Sequence, residues 1–186
     1  GTPADGWLRR AESAGASLRG LASVPGDLRV REQIGDIDSQ AAAAVVDLRR
    51  FARQITAVER AAAGIGVYRL RTERATLVNG LLHLPDGPLR QERQRAVTAV
   101  DDQLAVYERL RVAIDTMLAK MQSTVLGLES LAARLAEVTA LYATTGGVSA
   151  VTATRIAGLA DDLDGMRTGL AEAERLSRQA LGTPEP

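Results

Sequence analysis

The chain predicts an all-α fold, and three observations predict it. Heptad positions, most of them apolar, recur in alternating steps of four and three over about fifty-five residues, from Leu89 to Tyr142, with no Pro in the run and Gly127 as its sole Gly; this is the pattern of a helix with a seam facing partner helices. The composition is that of helical rods, 46% hydrophobic and only 3% aromatic, not of a sheet. The strong turn signals, Ser23 to Asp27, Leu84 to Pro88 and Thr144 to Gly147, fall between periodic segments.

The elements follow in order. Residues 4–22 read as a helix with Asp5 as its N-cap and Trp7, Leu8, Ala11, Ala14, Leu18 and Leu21 on one face. Gly15 and Gly20 weaken it. A second helical stretch, about 28–84, carries the seam Val30, Ile34, Ile37, Ala41, Ala44, Leu48, Phe51, Ile55, Val58 and Ala62. The phase jumps at Ala63-Gly64-Ile65-Gly66 and resumes on Val67, Leu70, Leu77, Leu81 and Leu84, with Arg74 in a seam position, which predicts a kink near 64–66. Two Pro and a Gly within Pro85 to Pro88 reverse the chain.

The long helix, 88–143, then carries Leu89, Arg93, Ala96, Val100, Gln103, Tyr107, Leu110, Ile114, Met117, Met121, Thr124, Leu128, Leu131, Leu135, Val138 and Tyr142 on its seam. At 1.5 Å per residue it spans roughly 80 Å. A last helix, 149–181, starts at Ser149 or Thr152 and presents Ile156, Leu159, Leu163, Met166, Leu170, Ala173 and Leu176; residues 182–186 form a disordered tail.

These lengths predict a long antiparallel coiled-coil hairpin, about 28–84 with 88–143, in one elongated domain spanning 1–186. Helices 4–22 and 149–181 reach only one end of it and thicken that end into a three- or four-helix bundle. Residues 67–105 are left as a projecting two-helix finger.

Little in the chain suits catalysis. With no Cys, disulfides and thiolate chemistry are excluded. The formal net charge is zero, so no electrostatic pull toward nucleic acid exists. No run of eighteen apolar residues is present to span a bilayer. The chain opens on Gly1-Thr2-Pro3 without an initiator Met, and a flanking segment that tethers it to a membrane is a live expectation.

His83 stands alone beside the Pro turn, without the companions a metal needs. Asp161, Asp162 and Asp164, with Glu172 and Glu174 beyond, lack the spacing of a calcium-binding loop and fall on the solvated face. Gly64, Gly66, Gly146 and Gly147 follow no strand and build no phosphate cradle. No catalytic, cofactor-binding or metal-ligating residue is assigned, and the chain reads as a non-enzyme.

Binding groups concentrate at the finger. Arg74, Arg93, Gln103 and Thr124 occupy seam positions where polar side chains either set register or reach water. Between residues 69 and 95 six Arg face three acids, a local charge of +3. Val78, Leu81, Leu82, Leu84 and Leu89 crowd the tip. The candidate partner-binding residues are therefore Leu81, Leu82, Leu84, Leu89, Arg74, Arg90 and Arg93. The surface suits a second copy in a homodimer, an acidic helical partner, or an anionic membrane surface; the alternative is that the leucines only pack against one another across the hairpin.

The strings Asp101-Asp102-Gln103-Leu104-Ala105-Val106-Tyr107-Glu108-Arg109-Leu110-Arg111 and Met117-Leu118-Ala119-Lys120-Met121-Gln122-Ser123-Thr124-Val125-Leu126-Gly127-Leu128-Glu129, with Ala160 to Arg167 and Gly169 to Glu174, resemble the helical part of PspM-like proteins of the actinobacterial phage-shock envelope-stress system. The 22 Arg against a single Lys, Lys120, fit a GC-rich genome of that kind. The resemblance covers about the last hundred residues and rests on helix pattern. It implies a membrane-associated stress protein, in the cytoplasm or at the cytoplasmic face of the membrane, working with the coiled-coil protein PspA; the family's membrane-spanning part has no counterpart here, and no family site residue carries over. A second reading of the residues is a ligand-sensing helical bundle from a membrane receptor, which would need polar groups converging between helices.

Overall fold

A computed structural model describes residues 1–22, 28–145 and 150–180. The expected turns over 23–27 and 146–149, the Ser149 cap and the 182–186 tail lie outside the described residues, as do the side chains of Val30, Tyr142 and Thr152. The described residues are helical almost throughout: α1 (Pro3–Ala22), α2 (Leu28–Ala63), α3 (Val67–Leu81), α4 (Pro88–Thr145) and α5 (Ala150–Ala180).

The start of α1 corrects the expected cap. Thr2, not Asp5, sits at the N-cap: the Asp5 N–H donates to Thr2 Oγ1 at 3.3 Å, and the Thr2 N–H donates to Asp5 Oδ2 at 2.7 Å. This reciprocal box satisfies two otherwise orphaned donors, and Pro3 at the first helical position has no N–H to lose. The same hydrogen bonds hold the Asp5 carboxyl below its ordinary pKa.

Helices α2 and α3 are one bent, joined helix. The Gly64 N–H still bonds to the Arg60 carbonyl, Ile65 shortens to the Ala62 carbonyl, and the Val67 N–H closes on the Ile65 carbonyl at 2.8 Å. Gly66 sits between them at φ −74° and ψ 68°, the geometry of an inverse γ-turn. Residues 64–66 lie outside both helices, so the expected kink is a tight three-residue joint.

Four helices pack together. α2 and α4 touch each other and both touch α1 and α5, while α3 packs on α4 alone. The polarity of the pairs follows from ion pairs. Glu12 with Arg49 and Arg19 with Asp38 make α1 and α2 antiparallel; Arg134 with Asp162 and Glu137 with Arg155 do the same for α4 and α5; Asp47 with Arg167 and Arg50 with Glu174 make α2 and α5 parallel. The result is an up-down-up-down helical bundle. Its core holds Leu18, Ile37, Leu48, Phe51, Ile55, Met117, Met121, Leu128, Leu131, Leu135, Ile156 and Leu163, all essentially solvent-free.

Two glycines that would weaken isolated helices are explained by close approach. A Cβ on Gly15 would stand 3.1 Å from Val45 Cγ2 of α2, and one on Gly127 would collide with the Met166 sulfur of α5. The absent side chains let α1 approach α2 and give the Met166 thioether a seat on α4. Thr124, the polar seam residue of the bundle, is buried but donates to the Lys120 carbonyl one turn back at 3.0 Å. It needs no partner across the interface.

Along α4 the predicted seam holds in one half and slips in the other. Ile114, Met117, Met121, Thr124, Leu128, Leu131, Leu135 and Val138 are all buried. In the α3-facing half the buried residues are Val97 and Val100, followed by half-buried Leu104, Tyr107 and Leu110. Leu104 thus replaces the expected Gln103, which is exposed, and Val97 lies deeper than Ala96. Two successive steps of three, 104 to 107 to 110, shift the stripe. They fall where Gly64, Ile65 and Gly66 share a cleft with Gln103 and Val106, so the stripe changes phase where α4 changes partner from α3 to α2.

Arg10 ties α1 to α4. Its Nε and Nη2 donate to the two Glu129 carboxylate oxygens at 2.8 and 2.7 Å, and the guanidinium lies 4.5 Å over the Trp7 ring. These hydrogen bonds hold the Glu129 carboxyl below its ordinary pKa. A depressed folded-state pKa means the contribution is present above the unfolded carboxylate range and is lost as pH falls through the folded value. Glu129→Gln is therefore expected to lower the urea midpoint slightly at neutral pH and not at a pH below the carboxylate range. A difference that stays constant with pH would refute the pairing. The effect is small because both side chains are solvent-accessible.

Candidate functional site

The α3–α4 pair ends in the turn that carries the predicted binding residues. Within α3 only Leu70 is fully buried. Val67, Leu77, Val78 and Leu81 are half-covered by the single neighbouring helix. Helical geometry continues through Leu82, at φ −63° and ψ −25°, whose N–H bonds to the Asn79 carbonyl. The Leu84 N–H closes on the Leu81 carbonyl, and α4 starts at Pro88 with the Gln91 N–H on the Gly87 carbonyl. Pro88 stands at the first helical position, where its missing N–H costs nothing.

The four leucines divide. Leu81 and Leu84 turn partly inward, whereas Leu82 is 74% exposed and Leu89 63% exposed. The alternative, that the leucines merely cover one another, accounts for the first two and fails for the second two.

The three arginines do not act as a group. Arg74 binds Asp101 through Nε and Nη2, and the carboxylate pushes its pKa up. Arg90 donates to the Leu84 carbonyl at 2.8 Å and pairs with Asp86 at 3.4 Å, bracing the turn. The Arg93 guanidinium lies across Gly80, where a Cβ would strike it. Arg71 pairs with Glu108 and Arg95 with Glu92. The sums of the paired numbers, near 175 for 74 with 101 and near 179 for 71 with 108, show that α3 and α4 run antiparallel.

This pairing corrects the basic character expected of the tip. The window 69–95 is rich in Arg because it stops short of Asp101, Asp102 and Glu108. Antiparallel packing returns Asp101 and Glu108 to the α3 arginines Arg74 and Arg71, and over the finger, 67–105, six Arg stand against five acids, a local charge of +1. What distinguishes the surface is its exposed apolar side chains, not its charge.

Other parts of the molecule offer less. A groove of about 390 Å³ between α4 and α5 has Val138 and Leu159 at its base, but its charges, Arg134 with Asp162 and Arg155 with Glu137, are spent on one another. Glu174 accepts from Arg50 and from Gln54. Among the described residues no three His, Cys, Asp or Glu side chains converge on a metal position, and no helix is long and apolar enough to cross a membrane. His83 is exposed at the turn.

One residue escaped the sequence reading. Tyr68, at the start of α3, is 87% exposed. It lies seven residues before Ala75, which lies seven before Leu82, and Thr72 and Asn79 fill the intervening turns. All five are exposed, opposite the Leu70 face. The four-three spacing was legible, but a Tyr off the main seam reads as an ordinary surface residue. Comparison with family models, with characterised proteins and with solved structures finds no match to this chain.

Proposed function

We propose that the chain is a non-enzymatic interaction module: a coiled-coil-type hairpin, anchored in a helical bundle, whose distal finger engages another helical protein. The observation that carries this reading is the exposure of Leu82 and Leu89 on either side of a turn that Arg90 braces. Large apolar side chains held out by an ordered turn are the anchors that interfaces bury. The setting, the soluble part of a membrane-associated envelope-stress protein with a PspA-like coiled-coil partner, rests on the resemblance of residues 101–129 and 160–174. An anionic membrane surface is the weaker occupant, because four of the finger's six arginines, Arg71, Arg74, Arg90 and Arg95, are paired with acids.

A photoreactive side chain at Leu89 is expected to cross-link to a protein partner in cells, be it another copy or a different chain. Leu82→Asp combined with a charged residue at the neighbouring tip position, Leu84→Asp, should abolish that adduct while the helical circular dichroism is unchanged. Adducts that survive the double substitution, or none at Leu89, would remove the tip from the interaction.

A further inference from the structure

We infer that the partner of the finger is a second copy of this chain, seated antiparallel along the outer face of α3 about a two-fold axis at Ala75. The inference rests on the interaction-module reading and names its occupant.

The argument starts from the two most exposed large hydrophobic side chains among the described residues, Tyr68 and Leu82. They occupy one helix face, and each stands seven residues from Ala75. Seven residues are close to two helical turns, roughly 10 Å, so the two anchors flank a small residue at equal distances. A closed dimer requires a self-complementary patch, in which residue i meets j and j meets i. An antiparallel pairing centred on Ala75 meets that requirement: Tyr68 lies on the Leu82 of the other copy, Thr72 on its Asn79, and Ala75 on its own counterpart.

Size and polarity agree with the register. The bulky ends are paired with bulky ends, and the axis carries a methyl, so the helices can approach to the 8–10 Å separation of packed pairs. Thr72 and Asn79 can hydrogen-bond across the interface; the Thr72 hydroxyl donates to the Tyr68 carbonyl and keeps its lone pairs. Charge does not oppose the pairing. With opposed positions summing to about 150, Arg71 and Arg74 lie level with the partner copy's Asn79 and Thr76, and no arginine of α3 lies level with another arginine. A parallel pairing in register would stack each of these arginines beside its own copy, which disfavours it.

The face also has a reason to seek cover. α3 is 15 residues long and touches one helix. Helices of that length are marginal without tertiary packing, and its only described neighbour covers the opposite side. A contact of one such helix per copy is of the small, reversible class.

The chain has no cysteine, which makes the test direct. Ala75→Cys in the full chain places a thiol at the proposed axis, where the two Cα atoms come within the roughly 4.4–6.8 Å that a disulfide spans. Mild oxidation should convert this variant to a covalent dimer far faster than Ser130→Cys, whose residue is exposed on the bundle segment of α4. Adding Tyr68→Glu should suppress that dimer, and Tyr68→Glu alone should shift the sedimenting species to monomer. Equal oxidation of the two cysteine variants, or a dimer indifferent to Tyr68→Glu, would overturn the inference. If Leu89 cross-links to another protein while Ala75→Cys stays monomeric, self-pairing falls and the interaction-module reading stands; failure of both experiments removes both.

Discussion

Alanine at Phe51 lowers the unfolding free energy by about 3–5 kcal/mol, the range for truncating a buried phenylalanine. Phe51 is the single Phe of the chain and is 1% exposed. It sits on α2, the helix that touches α1, α4 and α5 in turn. The surrounding core is built from Leu, Ile, Met and many Ala, and an alanine neighbour cannot swing into a void as a longer side chain can. The cavity term therefore adds to the lost transfer term. At roughly 2–4 °C per kcal/mol for a chain of this size, the midpoint should fall by about 6–20 °C. Thermal unfolding followed by circular dichroism, and by the fluorescence of Trp7 on α1, reads the effect. A loss under about 1 kcal/mol would mean that Phe51 does not fill the centre of the bundle.

The second large effect is a contrast within one helix. Leu128→Ala is expected to cost about 2–5 kcal/mol, whereas Leu89→Ala should stay within about 0.5 kcal/mol of the parent. Both residues belong to the same heptad run of α4, yet Leu128 is solvent-free and Leu89 mostly exposed. Urea unfolding of the two variants separates them. Similar costs would show that the start of α4 is buried as its later turns are, and would remove the exposed tip.

That contrast also marks how far the sequence could be read. Helix existence, the turn at 84–88 and the joint at 64–66 were legible, because Pro, Gly and periodicity act locally. So was the core side of α4 from Ile114 to Val138, where an unchanged set of neighbours preserves the phase. The α3-facing half misled because a fixed four-three count cannot sense a change of partner: Gln103 was read for Leu104, and Ala96 for Val97. Asp5 was read as a cap because the box partner Thr2 lay two residues outside the apparent helix. The +3 charge of the tip came from a window in sequence, whereas Asp101 and Glu108 are neighbours only in space. The seat that Gly127 gives Met166 had no signal in the sequence, because the two residues are neighbours only in space.

The candidate site was legible in part. Leu82 and Leu89, named as apolar side chains crowding the tip, are exposed there. Arg74 and Arg90 were named for their charge and are occupied within the chain. Tyr68 carried no signal of its own, since one exposed aromatic is unremarkable until its distance from Leu82 is set against a symmetry axis.

α4 runs without interruption for 58 residues, from the bundle to the tip, so one backbone clocks both ends. Adding a single residue within it, near Arg111, would turn everything N-terminal by about 100° relative to the bundle, while seven residues would preserve the heading and lengthen the reach by roughly 10 Å. The azimuth at which the molecule offers its free flank is thus encoded in a residue count, and only changes of length close to a whole number of turns, such as seven or eleven residues, would leave it pointing nearly the same way.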